Sequence, residues 1–440
     1  MFTFTKNVVI TVGSRVLVFM INLSSSIIIA RMLGPERNGI YSLAFLLPSL
    51  LTTFTCFGIA PATAYYVGQN KYSLKEIFGN NILLSLVIGA TSVVIGLIFI
   101  FLFQDIAFPG VSRFYLVVAL PLIPLNLFFT YIQYMYLGTQ QIKEFNFTAI
   151  IQAILFLALV SIALFIFNAG IIGVLTANIL ALFLNNILLF MRVRKTLNGV
   201  CFKINLSYYK DVLLYGFKAQ LNNILNFMHF RLDMLLMNVF MDPSAVGYYS
   251  VAVGIAERLK LISQSAGMVL FPKIASEDDK HRKEFTPIVS RNILLITTVA
   301  AICIFFLSRW VVLVLYSEAY LKSVRPLQFL LPGIVALSIC AILSNDVAGR
   351  GRPMLNTYFA AVTLIINLIL NILWIPQYGI EGAALASTVS YTAQMIGRLF
   401  VYSKISGNSI AKIIFIQKSD IVLYRSFISV LAKRPMADKQ

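Results

Sequence analysis

Charge is scarce in this chain. Only 12% of its 440 residues are charged, against about 25% in soluble domains, and 59% are hydrophobic. That excludes an ordinary water-soluble domain. The four cysteines, Cys56, Cys201, Cys303 and Cys340, are scattered without a C-x-x-C pair, so neither a disulfide framework nor a thiolate metal cluster is supported. Two histidines cannot build a histidine-rich metal site. No G-x-x-x-x-G-K-[ST] loop occurs, so this chain does not hydrolyse ATP. No long join carries paired carboxylates, and none is long enough to fold as a catalytic domain. These absences count against an enzyme and against a resident cofactor.

What is present is long apolar sequence. Runs of about 20 residues, the length that crosses a bilayer as a helix, predict spans at about 7–30, 40–68, 77–103, 114–137, 146–168, 171–193, 211–240, 245–272, 286–308, 325–348, 354–376 and 380–403. The first run holds Arg15 and lacks a small-residue cleavage site, so it reads as a retained helix. The net charge of +18 does not indicate nucleic acid, because the basic residues sit in the short joins. Alternate joins hold 22 and six Lys and Arg residues, and the remaining seven lie inside spans. The richer set includes both termini, which predicts that both are cytoplasmic.

The chain also repeats itself. Leu33-Gly-Pro-Glu-Arg-Asn-Gly-Ile-Tyr-Ser-Leu-Ala44 recurs, 208 positions on, as Met241-Asp-Pro-Ser-Ala-Val-Gly-Tyr-Tyr-Ser-Val-Ala252. Gly170-Ile-x-Gly173 is matched by Gly379-Ile-x-Gly382, and Pro121 and Gly138 by Pro332 and Gly349. Each match links one span to the sixth after it, so the halves share one orientation and a pseudo-twofold along the membrane normal. The expected fold class is an all-α integral membrane protein of about 12 helices in two six-helix bundles. The bundles are residues 1–195 and 211–403, joined by a basic linker at 196–210. Residues 404–440 form a cytoplasmic tail. Its weakly apolar stretch from Ile410 to Leu431 carries too many charges to span and reads as an amphipathic helix on the inner leaflet, with a frayed tail as the alternative.

Charges inside the spans are the candidate functional residues. They are Arg15, Lys218, Arg231, Arg258, Lys260, Arg291 and Arg398, with Asp233, Glu257 and Asp346. A charge at the bilayer centre costs on the order of 3 kcal/mol, so such groups face water or one another. Lys260 and Arg291 are also close enough to the cytoplasmic ends to extend to the headgroups. Lys218, Asn222, Asn226, His229 and Asp233 recur at intervals of four and three, which is one helical face. Thr11, Arg15, Asn22 and Ser26 follow the same rule in the first span, and Ser250, Glu257 and Gln264, with Arg258 beside them, in the eighth. Asn and Ser alone would be explained by hydrogen bonds between helices. The added arginines favour a hydrated, net-positive cavity between the halves. There Asn22, Asn222, Asn226, His229 and Gln264 would form the polar lining. Asp233 could neutralise Arg231 or Arg258, or take a coupling cation.

Leu33-Gly-Pro-Glu-x-x-Gly-x-Tyr41, and Arg231-Leu-Asp233 followed by Val246-Gly-Tyr-Tyr-Ser-Val-Ala252, resemble the polysaccharide repeat-unit flippases of the O-antigen (Wzx) type. These belong to a superfamily with the multidrug extruders and the peptidoglycan-precursor flippases. The resemblance covers the chain to about Tyr402. It implies a bacterial inner-membrane protein of twelve helices, two six-helix bundles and alternating access. The substrate would be an undecaprenyl-diphosphate-linked oligosaccharide, moved to the periplasmic leaflet for O-antigen or capsule synthesis. Arg15, Lys218, Arg231 and Arg258 would then hold the diphosphate. Asp233 and Glu257 are the candidates for sodium or proton coupling. The implied partners are the lipid-linked oligosaccharide, membrane lipids and polysaccharide assembly proteins. The alternatives are an ion-coupled drug exporter, disfavoured by a net-positive cavity, and a membrane glycan polymerase.

Overall fold

The computed structural model describes residues 2–276, 279–417 and 420; at a few helical positions, Lys218 among them, only the backbone is described. Helices and turns make up the described residues, with no strand among them. Helix α1 (Phe2–Thr55) is two helices meeting at Gly34, whose φ of 73° and ψ of 173° lie far from helical values. The chain turns again through Phe57 and Gly58, both at positive φ, before α2 (Ile59–Gly68). This second break falls inside one predicted span. Helix α3 (Leu74–Ala107) opens on a capping box between Ser73 and Glu76. Helices α4 (Arg113–Ala119) and α5 (Leu122–Gly138) divide another predicted span at Pro121, whose ring has no N–H to offer a helix. Then come α6 (Ile142–Ser161), ending in a π turn at Ile162–Ile166, and α7 (Gly170–Leu197), closed by Asn198 in the left-handed region.

Asn205 caps α8 (Leu206–Phe240) by accepting from the Tyr208 N–H at 3.0 Å. After it come α9 (Pro243–Ala256), a 3₁₀ turn at Glu257–Leu259, α10 (Lys260–Ser276) and α11 (Asp279–Tyr316). A further 3₁₀ turn, Glu318–Ser323, leads into α12 (Val324–Gly349). Helix α13 (Met354–Ser406) is again two helices, meeting at Gly379, and α14 (Ile410–Ile414) is short. The twelve predicted spans fall mainly on helix, with the breaks at Phe57–Gly58 and at Pro121 inside two of them. Among the described residues eight helical stretches are long and apolar enough to cross a membrane; Gly13–Thr55 takes in parts of the first two predicted spans, and Met354–Ser406 holds the last two. The predicted seventh and eighth spans fall outside the eight stretches; polar and charged residues recur along both. Large apolar side chains lie bare along the helices, as a lipid-facing surface requires; Phe101 is 65% and Phe306 76% exposed.

The helices pack as two compact units. The first comprises Met1–Val251, Val311–Ser323 and Asn371–Ala383. Within it the two copies of the repeated turn meet. A Cβ on Gly39 would overlap the Pro243 carbonyl and lie 2.9 Å from the Gly247 nitrogen. One on Gly247 would overlap the Pro35 carbonyl and lie 3.2 Å from the Gly39 nitrogen. The contact is reciprocal, glycine on backbone in both directions. Asn38 donates to the Ser250 hydroxyl beside it (3.3 Å). The segment 311–323 closes over the same place. The Tyr320 hydroxyl donates to the Ala30 carbonyl (2.9 Å), the Ser323 hydroxyl to the Tyr248 carbonyl (2.8 Å), and the Arg31 Nε–H to the Leu315 carbonyl (2.8 Å).

The second unit comprises Ala252–Trp310, Val324–Leu370 and Ala384–Gln440. Its apolar core joins Ile339, Leu343, Leu399 and Tyr402 to Ile413 of α14. Two pairs of buried polar side chains bond each other: Thr297 with Ser338 (3.0 Å), and Gln394 with Thr363 (3.3 Å). Here the tail departs from expectation. Its described helix is five residues long, Phe415 is already extended, and Asp420 is fully buried. The Asp420 carboxylate is held by the Arg291 guanidinium through two hydrogen bonds, and Arg291 also reaches the Lys412 carbonyl (3.2 Å). Arg291 therefore turns inward instead of extending to the headgroups. Residues 418–419 and 421–431 of the predicted amphipathic helix lie outside the described residues.

Candidate functional site

Thirty-five residues make α8 about 52 Å long at about 1.5 Å per residue. No glycine or proline interrupts it between Gly216 and the Met241-Asp-Pro243 turn, so the face of positions 218, 222, 226, 229 and 233 runs unbroken. Asn226 donates to the Asn222 carbonyl (2.7 Å), and both side chains are half-buried. His229 is buried, its ring edge-on to Phe230. The Arg231 guanidinium is half-buried and donates to the Phe230 carbonyl (3.3 Å). The Lys218 side chain lies outside the described residues.

Asp233 is buried. Its carboxylate accepts from the Tyr249 hydroxyl and from the Met234 N–H (2.8 Å). Tyr249 was not singled out from the sequence, although it belongs to the repeated turn. Its counterpart 208 positions earlier is Tyr41, and the counterpart of Asp233 is Ser25. The phenol–carboxylate pair therefore belongs to the second copy alone. That asymmetry was the available signal.

On α1, Arg15 is half-buried and Asn22 exposed. Asn146 of α6 donates to the Thr11 hydroxyl at 3.1 Å, so this stripe is partly tied into the bundle. In the second unit the Glu257–Leu259 turn interrupts the helix where the charges stand. Lys260 pairs with Glu257 at 3.2 Å, both half-buried, so its ammonium turns to a carboxylate within the unit. Arg258 donates from Nε to the Gly254 carbonyl (2.9 Å), and Gln264 is exposed. Arg398 is buried, donating to the Cys340 carbonyl (3.0 Å) beside the Phe359 ring. Asp346, also buried, is held by Thr286 of α11 and by Arg350 just past the end of α12. Those two are structural. Among the described residues no three His, Cys, Asp or Glu side chains gather as metal ligands.

In chemical terms the two units hold half-buried guanidiniums, exposed or half-buried amides, and one carboxylate buried against a phenol. Guanidiniums and amide N–H groups suit a phosphorylated, hydroxyl-rich solute. A family model described as "Polysaccharide biosynthesis protein" matches residues 28–325. The chain belongs to that family. It is 29% identical over 206 residues (46% of this chain, 39% of the relative) to "Uncharacterized membrane protein" of Methanocaldococcus jannaschii. To "Probable low-salt glycan biosynthesis flippase Agl15" of Haloferax volcanii it is 22% identical over 219 residues (47% and 46%). To "Putative O-antigen transporter" of Shigella flexneri it is 22% identical over 253 residues (55% and 59%). The matches span between 39% and 59% of these relatives' lengths. The fold matches the solved "Lipid II flippase MurJ, inward closed conformation" with a TM-score of 0.75 at 17% identity, covering 96% of each chain. The family and the fold thus agree with the resemblance carried by the repeated turn and by α8. The chain is a multi-pass membrane protein with a transporter fold.

Proposed function

We propose that this protein is a flippase that moves an undecaprenyl-diphosphate-linked oligosaccharide from the cytoplasmic to the outer leaflet of a bacterial inner membrane. The observation that carries the proposal is the conjunction, in a polysaccharide biosynthesis family member, of half-buried Arg15, Arg231 and Arg258 with the amide-rich face of α8. A diphosphate cannot cross hydrocarbon bare. Guanidiniums offer it paired N–H donors, and amides offer the sugar hydrogen bonds. Residues 1–195 and 211–403 act as two bundles that open alternately, both termini cytoplasmic, and the lipid tail stays in the bilayer where they part. Arg15, Lys218, Arg231 and Arg258 hold the diphosphate. Without an ATPase, uphill transport draws on a sodium or proton gradient, with Asp233 and Glu257 as the responding carboxylates. The relatives named as a glycan flippase and an O-antigen transporter support this reading.

The test is the leaflet in which the lipid-linked intermediate stalls. Replacing Arg15, Lys218, Arg231 and Arg258 with Gln should strand it on the cytoplasmic side and deplete surface glycan. Undiminished surface glycan in that variant sinks the diphosphate site. Drug sensitivity with normal glycan would identify an exporter. Outward-facing single repeat units would identify a polymerase.

A further inference from the structure

Six of the chain's 20 tyrosines gather in one place in the first unit: Tyr65 and Tyr66 of α2, Tyr72 of the following join, and Tyr208, Tyr209 and Tyr215 of α8. The root of the group is buried. The Tyr208 hydroxyl donates to the Asn81 amide oxygen at 2.8 Å and meets the Thr63 hydroxyl at 3.3 Å. Its rim is open. Tyr65 and Tyr215 stack with centroids 4.5 Å apart and planes within 17°, yet remain 41% and 39% exposed. Tyr66 stands edge-on to both. Polar groups border the rings. The Asp211 carboxylate accepts from the Tyr72 hydroxyl (2.6 Å) and from the Lys71 ammonium, and Gln69 donates to the Tyr65 hydroxyl (2.7 Å). Lys71 also lies 5.4 Å from the Tyr66 centroid.

Tyrosines that merely anchor a helix at the membrane interface have one apolar end and one wet end. This group is built differently. It joins segments about 145 positions apart; a carboxylate holds Tyr72, an ammonium lies over Tyr66 and an amide holds Tyr65, against which Tyr215 stacks. A pyranose ring has a C–H face and a rim of hydroxyls. The C–H face suits the negative face of an exposed aromatic ring. The hydroxyls suit Asp211, Gln69 and Lys71. Tyr215 also lies three positions before 218, so it heads the polar face of α8. Arg231 is 16 residues further on, about 24 Å along the axis.

We infer that Tyr65 and Tyr215, rimmed by Asp211, Gln69 and Lys71, form a docking platform for a pyranose ring of the transported glycan. The inference rests on the flippase reading and adds a sugar subsite that begins one turn of α8 before Lys218 and lies about 24 Å along the axis from Arg231. It is tested on the full chain in lipid nanodiscs with two probes, citronellyl diphosphate and citronellyl diphosphate bearing one N-acetylglucosamine. The wild type should bind the sugar-bearing probe about fivefold more tightly, the worth of one good ring contact. Tyr65→Leu/Tyr215→Leu should lose that advantage and bind the bare probe as before. Tyr65→Phe/Tyr215→Phe, which keeps the rings, should retain most of it. Equal wild-type affinity for both probes overturns the platform, as does an advantage that survives in the Leu variant. So does equal weakening of both probes, which marks a merely structural role. Neutralising Arg15, Arg231 and Arg258 should weaken both probes alike. If it does not, the diphosphate site fails while the sugar preference is judged on its own.

Discussion

Arg291 and Asp420 stand 129 positions apart and meet inside the second unit, with 3% and 0% of their side chains exposed. Burial by itself would push the Asp420 carboxyl up. The Arg291 guanidinium and the Gln417 N–H outweigh it, and hold the group below the usual carboxylate value. A carboxyl depressed in the folded state contributes stability above its unfolded value of about 4, and loses it as pH falls through the folded value. The docked tail should therefore be indifferent to pH from about 5 to 8 and release in stronger acid. Protease protection of the tail measured against pH checks this. Arg291→Met leaves a buried carboxylate without its counter-charge and should cost about 3–5 kcal/mol. Adding Asp420→Leu should recover most of that loss in detergent melting curves. Neither residue's fate was legible in the sequence. Arg291 looked free to reach the headgroups because the group that turns it inward lies in a tail whose charges read as surface charges.

Among the elements, two glycines of the repeated turn act by different physics. A Cβ at Gly34 would meet nothing within 4 Å, but its φ of 73° with ψ of 173° is a backbone region that essentially only glycine occupies. Gly34→Ala should cost about 1–3 kcal/mol and leave α1 packed against α9. Gly39→Ala meets backbone instead, so the helices must part. With Asn38→Cys and Ser250→Cys as a cross-linking pair, Gly34→Ala should keep the cross-link and Gly39→Ala should lose it. The helical segments were legible in the sequence, because apolar length and the Gly34-Pro35 and Gly379 breaks are local signals. The break at Phe57 and Gly58 was not, since a phenylalanine at φ 46° carries no such signal. Gly58 turns there against Gly216, where a side chain on either would overlap the other's backbone. The candidate site shows the same division. The face of α8 could be read from its spacing, whereas the tyrosine cluster could not, because α2 and the start of α8 are brought together only by folding.

At the scale of the whole molecule, the distribution of Lys and Arg sets the expected orientation. With Cys56, Cys201, Cys303 and Cys340 replaced by Ser, single cysteines at Glu36 or Arg113 should react with an impermeant maleimide in intact cells. Single cysteines at Lys75 or Lys195 should react only after permeabilisation. The reverse pattern would invert the molecule and the direction of transport with it. The reciprocal contact of Gly39 and Gly247 carries a different consequence, for inheritance. Each glycine is opposed by a peptide carbonyl, and no mutation can trim a carbonyl away. A side chain gained at either position thus has no second-site suppressor among the residues it strikes. Each copy of the duplicated turn holds its twin to glycine, and the two can drift apart everywhere except where they touch.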